Sequence, residues 1–305
     1  MKLKTSAIAL AVAGVIAAPM AAQADIGAYA SIRAGLVNVD NGDGADSSID
    51  FASASRGSRI GFKGETDLGN GMTAYGKYEW GVNAGSGGSG VGSTRHGIVG
   101  LKGDFGSLTI GHQWHTYYDN INAVVDIANW NSGYYSVGRT SDAVSYKGEF
   151  GAVSVGATGY FRNDATYDTG LDGTELSVAF DAGPVRLGVG VKSDAGAVAA
   201  DDLDVTGISV SGTFSDVYLA LSLQNWDLNG AEADSTEISA AFGQFYFIYA
   251  SLSPDAGPEP TDMTLGYTLP IGRQTTSWFE YVTSDADDGS DDDTSLEYII
   301  KYSWD

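Results

Sequence analysis

The chain has no cysteine, six prolines and three histidines in 305 residues, and its 16 lysines and arginines face 39 aspartates and glutamates. Without cysteine there is no disulfide framework and no thiolate metal site. A formal net charge of −23 argues against nucleic acid, which requires a basic surface. Beyond the first two dozen residues no apolar run approaches the ~20 residues that a membrane helix needs. His96, His112 and His115 are the only histidines. Neither a Gly-x-Ser-x-Gly elbow nor a His-Glu-x-x-His pair is present. The run Gly85-Ser86-Gly87-Gly88-Ser89-Gly90 lacks the following lysine of a phosphate loop. Together these absences count against an enzyme.

What is present is glycine (42), tyrosine (17) and alternation. Residues 1–24 stand apart: Lys2 and Lys4, an apolar run from Ile8 to Ala18, and Ala22-Gln23-Ala24 read as a secretory signal peptide. Residues 25–305 form the remaining domain, and removing the two lysines takes the formal charge from −23 to −25. From Ile26 onward apolar residues recur at every second position, a strand signal. Sixteen such segments are predicted, near 26–36, 51–65, 72–82, 94–103, 106–114, 137–147, 151–161, 173–182, 184–193, 204–214, 217–226, 235–243, 245–252, 261–269, 273–283 and 294–304. Their connections alternate. Short turns such as Asp67–Gly71, Ala182-Gly183 and Gly243-Gln244 are interleaved with longer polar loops near 40–50, 83–93, 114–136, 162–172, 194–203, 227–234, 253–260 and 284–293. Short turns at one end and long loops at the other are the rhythm of an up-and-down membrane barrel. The alternation of Tyr298, Ile300, Tyr302 and Trp304 in the last segment suits closure, and Tyr and Trp near strand ends suit aromatic girdles.

One stretch breaks the alternation. Gln113 to Gly138 reads as a long irregular loop with two acids, Asp119 and Asp126, and aromatics at Trp114, Tyr117, Tyr118, Trp130, Tyr134 and Tyr135; Arg139 comes next. An irregular loop of that length inside a compact domain is usually functional.

The segment Arg59-Ile60-Gly61-Phe62-Lys63-Gly64-Glu65-Thr66-Asp67-Leu68-Gly69-Asn70-Gly71 resembles the second strand and turn of the trimeric general diffusion porins of Gram-negative outer membranes. Gly100–Gly111 resembles the hairpin between their fourth and fifth strands. Tyr117-Tyr118-Asp119 resembles the start of their constriction loop, and Gly138-Arg139 the start of their sixth strand. The resemblance implies an all-β fold: a 16-stranded antiparallel transmembrane β-barrel, usually a homotrimer, whose third extracellular loop folds inward. It implies a passive channel for small hydrophilic solutes and ions in the Gram-negative outer membrane, in contact with lipid and lipopolysaccharide. It places a basic wall at Arg33, Arg59, Lys63, Arg95 and Arg139. Facing it are acids Glu79, Asp119 and Asp126, on or near a loop carrying Trp114, Tyr117, Tyr118 and Trp130. Residue parity agrees in two strands: outward Ile60 and Phe62 turn Arg59 and Lys63 inward, and outward Tyr78 and Trp80 turn Lys77 and Glu79 inward. A charge at the lipid midplane would cost ~2–4 kcal/mol.

The pattern departs from the family at His112, where many relatives have arginine, and at Asp305, which comes after the expected terminal aromatic. Asp142 falls on the lipid side of its strand by parity, which a bulge, a rim position or a subunit contact would explain. Asp285, Asp287, Asp288, Asp291, Asp292 and Asp293 cluster in one loop, suggesting calcium or magnesium there, or bridging through such ions to lipopolysaccharide. No other cofactor is expected. Two further readings stay open: a channel specific for a sugar or phosphate, and a secreted soluble calcium-binding β-protein. Acids crowd the long loops, so the expected selectivity is modestly for cations, strongest at low salt.

Overall fold

The alternation becomes an antiparallel sheet that closes on itself. The computed structural model describes residues 25–42, 47–52, 57–83, 91–129, 138–161, 170–194 and 202–304. Its strands are β1 (Asp25–Asp40), β2 (Ser48–Ala52), β3 (Arg59–Gly69), β4 (Met72–Val82), β5 (Val91–Gly103), β6 (Gly106–Trp114), β7 (Arg139–Phe150), β8 (Val153–Tyr160) and β9 (Gly173–Ala182). They continue with β10 (Val185–Asp194), β11 (Leu203–Phe214), β12 (Val217–Leu228), β13 (Ala231–Phe242), β14 (Phe245–Pro254), β15 (Thr261–Gly272), β16 (Thr275–Asp285) and β17 (Asp293–Trp304). One short helix, α1 (Thr116–Asn120), comes after β6.

From β3 onward each strand pairs with the next, and β1 pairs with β17 from Ala30↔Trp304 to Asp40↔Thr294. The other side of β1 is shared: its first half pairs with β3 and its second half with β2. Thus β2 and β3 occupy a single lane, and seventeen segments make a sixteen-stranded closed barrel. The expected strand 51–65 is split at this point. Ser58 spans the break, accepting from the Arg33 amide at 2.8 Å and donating to the Arg33 carbonyl at 3.0 Å.

The barrel is inverted relative to a water-soluble protein. Outward positions carry exposed Leu187, Val189, Val191, Ile208, Leu223 and Leu265, whereas inward positions carry buried Ser177, Ser222, Gln224, Ser235, Glu237 and Ser239. An apolar outer surface with every strand paired suits lipid, which cannot satisfy backbone groups. Phe105, Phe150, Phe214, Phe242 and Phe245 are exposed beside the short turns and form a band at that end. Among the described residues no helix is long and apolar enough to span a membrane.

One expectation changes, and one of the three explanations for Asp142 is selected. The polar stretch 227–234 is not a long loop: β12 and β13 pair down to Leu228↔Ala231, joined by Asn229 and Gly230 with φ of +58° and +82°. Those angles make a tight hairpin turn whose twist matches the strands, and asparagine followed by glycine tolerates them best. Asp142 sits at a bulge: Gly111 pairs with Ala143 and Gln113 with Thr140, so β7 carries an extra residue there. With φ of +54° at Asp142, both it and Ser141 are exposed. The signal-peptide segment 1–24, Trp130, Tyr134, Tyr135 and Asp305 lie outside the described residues.

Candidate functional site

After β6 the chain does not run out as an unstructured loop. The first amides of α1 are met by a carboxylate from β9: Glu175 Oε2 accepts from the Thr116 amide at 2.9 Å and the Tyr117 amide at 3.2 Å. A carboxylate there complements the helix dipole and satisfies donors that the helix itself leaves free. Its other oxygen receives both His115 Nδ1 and the Tyr160 hydroxyl. From this anchor, residues 115–129 are hydrogen-bonded in turn to polar side chains of successive strands. Asn120 Nδ2 donates to Ser177 Oγ on β9 at 3.0 Å, and Ser209 Oγ on β11 donates to the Asn120 carbonyl at 2.7 Å. Tyr117 Oη donates to Gln224 Oε1 on β12 at 3.0 Å. Tyr218 Oη donates to the Val124 carbonyl and Ser239 Oγ to the Val125 carbonyl, each at 2.6 Å. At the end of the described segment the Asn129 amide donates to Glu280 Oε1 on β16 at 2.7 Å, and Arg33 Nη1 on β1 donates to Asn129 Oδ1 at 2.9 Å.

The wall is shaped for this path. Tyr117, Ile121, Val205 and Trp226 form an apolar cluster between α1 and strands β11 and β12. The paired glycines Gly190 and Gly207 leave the room for it. A Cβ on Gly207 would stand 2.0 Å from the Tyr117 hydroxyl, and one on Gly190 would stand 2.8 Å from the same ring. Burial pushes the Tyr117 phenol well above its ordinary range, so it stays protonated as a donor. The predicted loop residue Tyr117 is therefore buried on the wall. Tyr118 is directed elsewhere: it stacks on Trp114 at 4.3 Å and donates to Asp126.

The residues of the expected basic wall sit on β1 (Arg33), β3 (Arg59 and Lys63), β5 (Arg95) and β7 (Arg139). Strict alternation from outward Val99 and Gly97 would turn Arg95 outward. Instead Glu79 pairs with His96 and Trp80 with Thr94, so a bulge in β5 brings Arg95 to the inner side beside His96. There Arg95 Nε donates to Glu79 Oε1 at 2.8 Å. Glu79 also accepts from Tyr29 at 2.8 Å and lies 3.3 Å from Lys77 Nζ. A single buried carboxylate thus serves two cations within the basic wall. Lys63 and Lys77 are directly opposite each other, and each lies 5.6 Å from the Tyr29 ring. Arg139 stands over the Trp114 ring at 3.9 Å, within electrostatic range of Arg95 and Arg59.

The expected acidic side is only partly assembled. Asp119 pairs with Lys147 on β7, toward the short-turn end of that strand. Burial raises the Asp119 carboxyl above the ordinary range and Lys147 offsets part of that rise. Asp126 is engaged by Tyr118. Parity applied to every strand would have found further inward acids. Glu175, Glu237, Glu280 and Glu297 are all buried, the last three flanked by outward Ile238, Phe279, Tyr281 and Leu296. The aspartates of 285–293 do not converge. Asp285 Oδ1 accepts from the Asp287 amide, Asp287 Oδ2 from the Glu259 amide, and Asp288 Oδ1 from Ser290. Those Ser290 bonds hold the Asp288 carboxyl below its ordinary value. Among the described residues, no group of three or more His, Asp or Glu is arranged to hold a metal ion.

The family described as Gram-negative porin matches residues 7–304. The chain is similar to major outer membrane protein P.IB of Neisseria gonorrhoeae, 38% identical over 139 residues, covering 44% of this chain and 38% of that protein. The match thus spans less than half the relative's length. Among solved structures it is similar to an anion-selective porin from Comamonas acidovorans: TM-score 0.76, 19% identity, 92% of this chain and all of that one. A Vibrio cholerae outer membrane protein solved in a trimer form gives TM-score 0.68 at 18% identity, covering 92% of this chain and 99% of that one. At those identities the structural likenesses establish the fold.

Proposed function

Since this chain belongs to the Gram-negative porin family of outer-membrane β-barrels, we propose that it is a passive, water-filled channel for small hydrophilic solutes and ions. The observation that carries this is the path of residues 115–129 along the inner side chains from β9 to β16 and β1. A segment laid across that arc narrows the bore. It leaves an aperture bounded by itself and by the wall bearing Arg33, Arg59, Lys63, Arg95 and Arg139. Trp114, Tyr118, Asp119 and Asp126 belong to this constriction, with Glu79 on the opposite wall. Selection is then by width and by a fixed local field. Deleting Asn120–Asn131 tests the reading: single-channel conductance should rise and larger sugars should enter proteoliposomes in swelling assays. An unchanged size cutoff would mean that this segment does not set the width.

Glu79 offsets part of the basic wall, and Glu237, Glu280 and Glu297 add inward acid on β13, β16 and β17. With the acidic outer loops, this favours modest cation selectivity that fades as salt shortens the Debye length from ~10 Å at 0.1 M to ~3 Å at 1 M. Reversal potentials across a potassium chloride gradient measure it, and anion preference at low salt would overturn it. A homotrimer is the expected assembly, with Ala28, Ala30 and Ala34 on the outer face of β1 allowing close approach. Light scattering of the detergent complex should give three chains.

A further inference from the structure

Next to Arg59 in the basic wall, the inner face carries an indole flanked by two cations. Trp278 on β16 lies with Lys301 Nζ 5.1 Å and Arg33 Cζ 5.5 Å from its ring centroid. The register makes Arg33 and Lys301 direct partners across β1 and β17, with Trp278 opposite Ile299 one step toward the long loops. Trp278 packs on the cluster of Val37 and Ile299, which fixes the ring against the wall. Lys301 makes no hydrogen bond or ion pair among the described residues. Arg33 spends one Nη on Asn129, and its Nε is buried without a partner. The next inward positions toward the short turns are small: Ser31 and Ser303, joined hydroxyl to hydroxyl at 3.3 Å, with Arg59 beside Ser31. Toward the long loops stand Glu280 and Glu297, directly opposite each other. Glu280 is already engaged by Asn129 and Tyr246.

We infer that this niche binds small monocarboxylates with a flat apolar body. The carboxylate would meet Lys301 and Arg33, which supply charge-assisted donors and lack a carboxylate partner of their own. The ring would lie against Trp278, on the side away from Arg59 and Ser31. An inorganic anion would use only the cations, and a neutral ring only the indole, so the arrangement discriminates for the combination. Glu280 and Glu297 border the apolar end, which disfavours a second negative charge there.

The inference rests on the channel reading, and the test separates the two. Calorimetric titration of the whole detergent-solubilised protein at low salt measures binding whether or not it conducts. Benzoate should bind about tenfold more tightly than acetate or benzyl alcohol. Trp278→Leu should reduce benzoate to the acetate level, and Lys301→Gln should weaken both carboxylates. Trp278→Phe, which keeps a ring, should retain part of the difference and guards against a Leu variant that fails to fold. Equal affinities for benzoate and acetate, or a preference that survives Trp278→Leu, would overturn the niche. Potassium chloride conductance is recorded in parallel. Benzoate binding without conductance would sink the channel and leave the niche; conductance without benzoate preference would do the reverse.

Discussion

The backbone amide of Asn129 donates to the carboxylate of Glu280 at 2.7 Å, across 151 positions of sequence. This bond ties the far end of the segment begun at His115 to β16, and the same carboxylate receives Tyr246. Glu280→Gln keeps the shape but weakens the acceptor. Open-channel current noise should increase, with the mean conductance little changed. Glu280→Ala should in addition lower the voltage at which the channel closes. A quiet, wild-type trace from both variants in planar bilayers would show that the contact does not hold the segment.

Arg95 reaches Glu79 only because of the bulge in β5. Arg95→Ala removes a positive charge from the inner wall and leaves Glu79 with Lys77 and the Tyr29 hydroxyl. The reversal potential at low salt should move toward cations, and the move should shrink in 1 M salt as the Debye length falls to ~3 Å. No shift at any salt would mean that the guanidinium has no influence on permeating ions.

Gly207 faces the Tyr117 hydroxyl across a gap with no room for a methyl group. Gly207→Ala should therefore lift α1 from its seat, at a cost of about 1–3 kcal/mol for overpacking. The melting temperature of the detergent complex should fall, and single-channel conductances should spread into several levels. Tyr117→Phe in the same background should restore part of the loss, because it removes the hydroxyl that would stand 2.0 Å from the new Cβ and leaves the ring carbon at 3.1 Å.

Asp119 supplies a pH dependence. Its carboxyl is raised by burial, so on acidification it loses its charge before ordinary carboxylates do. As pH falls through that raised value, Lys147 is left unpaired, the bore becomes more positive, and cation preference drops. Reversal potentials measured stepwise from pH 7 downward should show this early drop, and Asp119→Asn should abolish it.

The carboxylates of Asp285, Asp287 and Asp288 are each committed to nearby amides or hydroxyls. Calcium and magnesium are accordingly expected to raise the melting temperature no more than sodium at matched ionic strength. A specific divalent effect, lost in Asp291→Asn with Asp292→Asn, would instead indicate that the loop rearranges around an ion.

The strand rhythm was legible because period-two alternation survives in nearly every lane, and in β3 and β4 it assigned Ile60, Phe62, Lys77 and Glu79 to the faces they occupy. It breaks where one residue is inserted. Neither the bulge at Arg95 nor the one at Asp142 has a local marker; each reverses the parity locally, and in β5 a second shift between Trp80 and Val82 follows at once. Asn229-Gly230 did carry a hairpin signal, but the neighbouring acids Asp227, Glu232 and Asp234 made the stretch resemble a loop. The inward glutamates on β9, β13, β16 and β17 were accessible to the same parity argument. Their roles were not. That Glu175 would meet the amides of Thr116 and Tyr117 depends on which strands become neighbours in space.

The seat of residues 115–129 also dictates an order of assembly. Its parts come from β9, β11, β12, β13, β16 and β1, all but the last made later in the chain than α1 itself. The segment must wait, without its partners, while β9 to β16 are laid down and paired. Its last tether, to Glu280 and Arg33, needs β1 and β16 on either side of β17, and that proximity arises only when the first and last strands meet. Docking at Asn129 is thus a late, long-range event in folding, of the kind that loop-closure entropy makes slow. A barrel that has not closed cannot be narrowed.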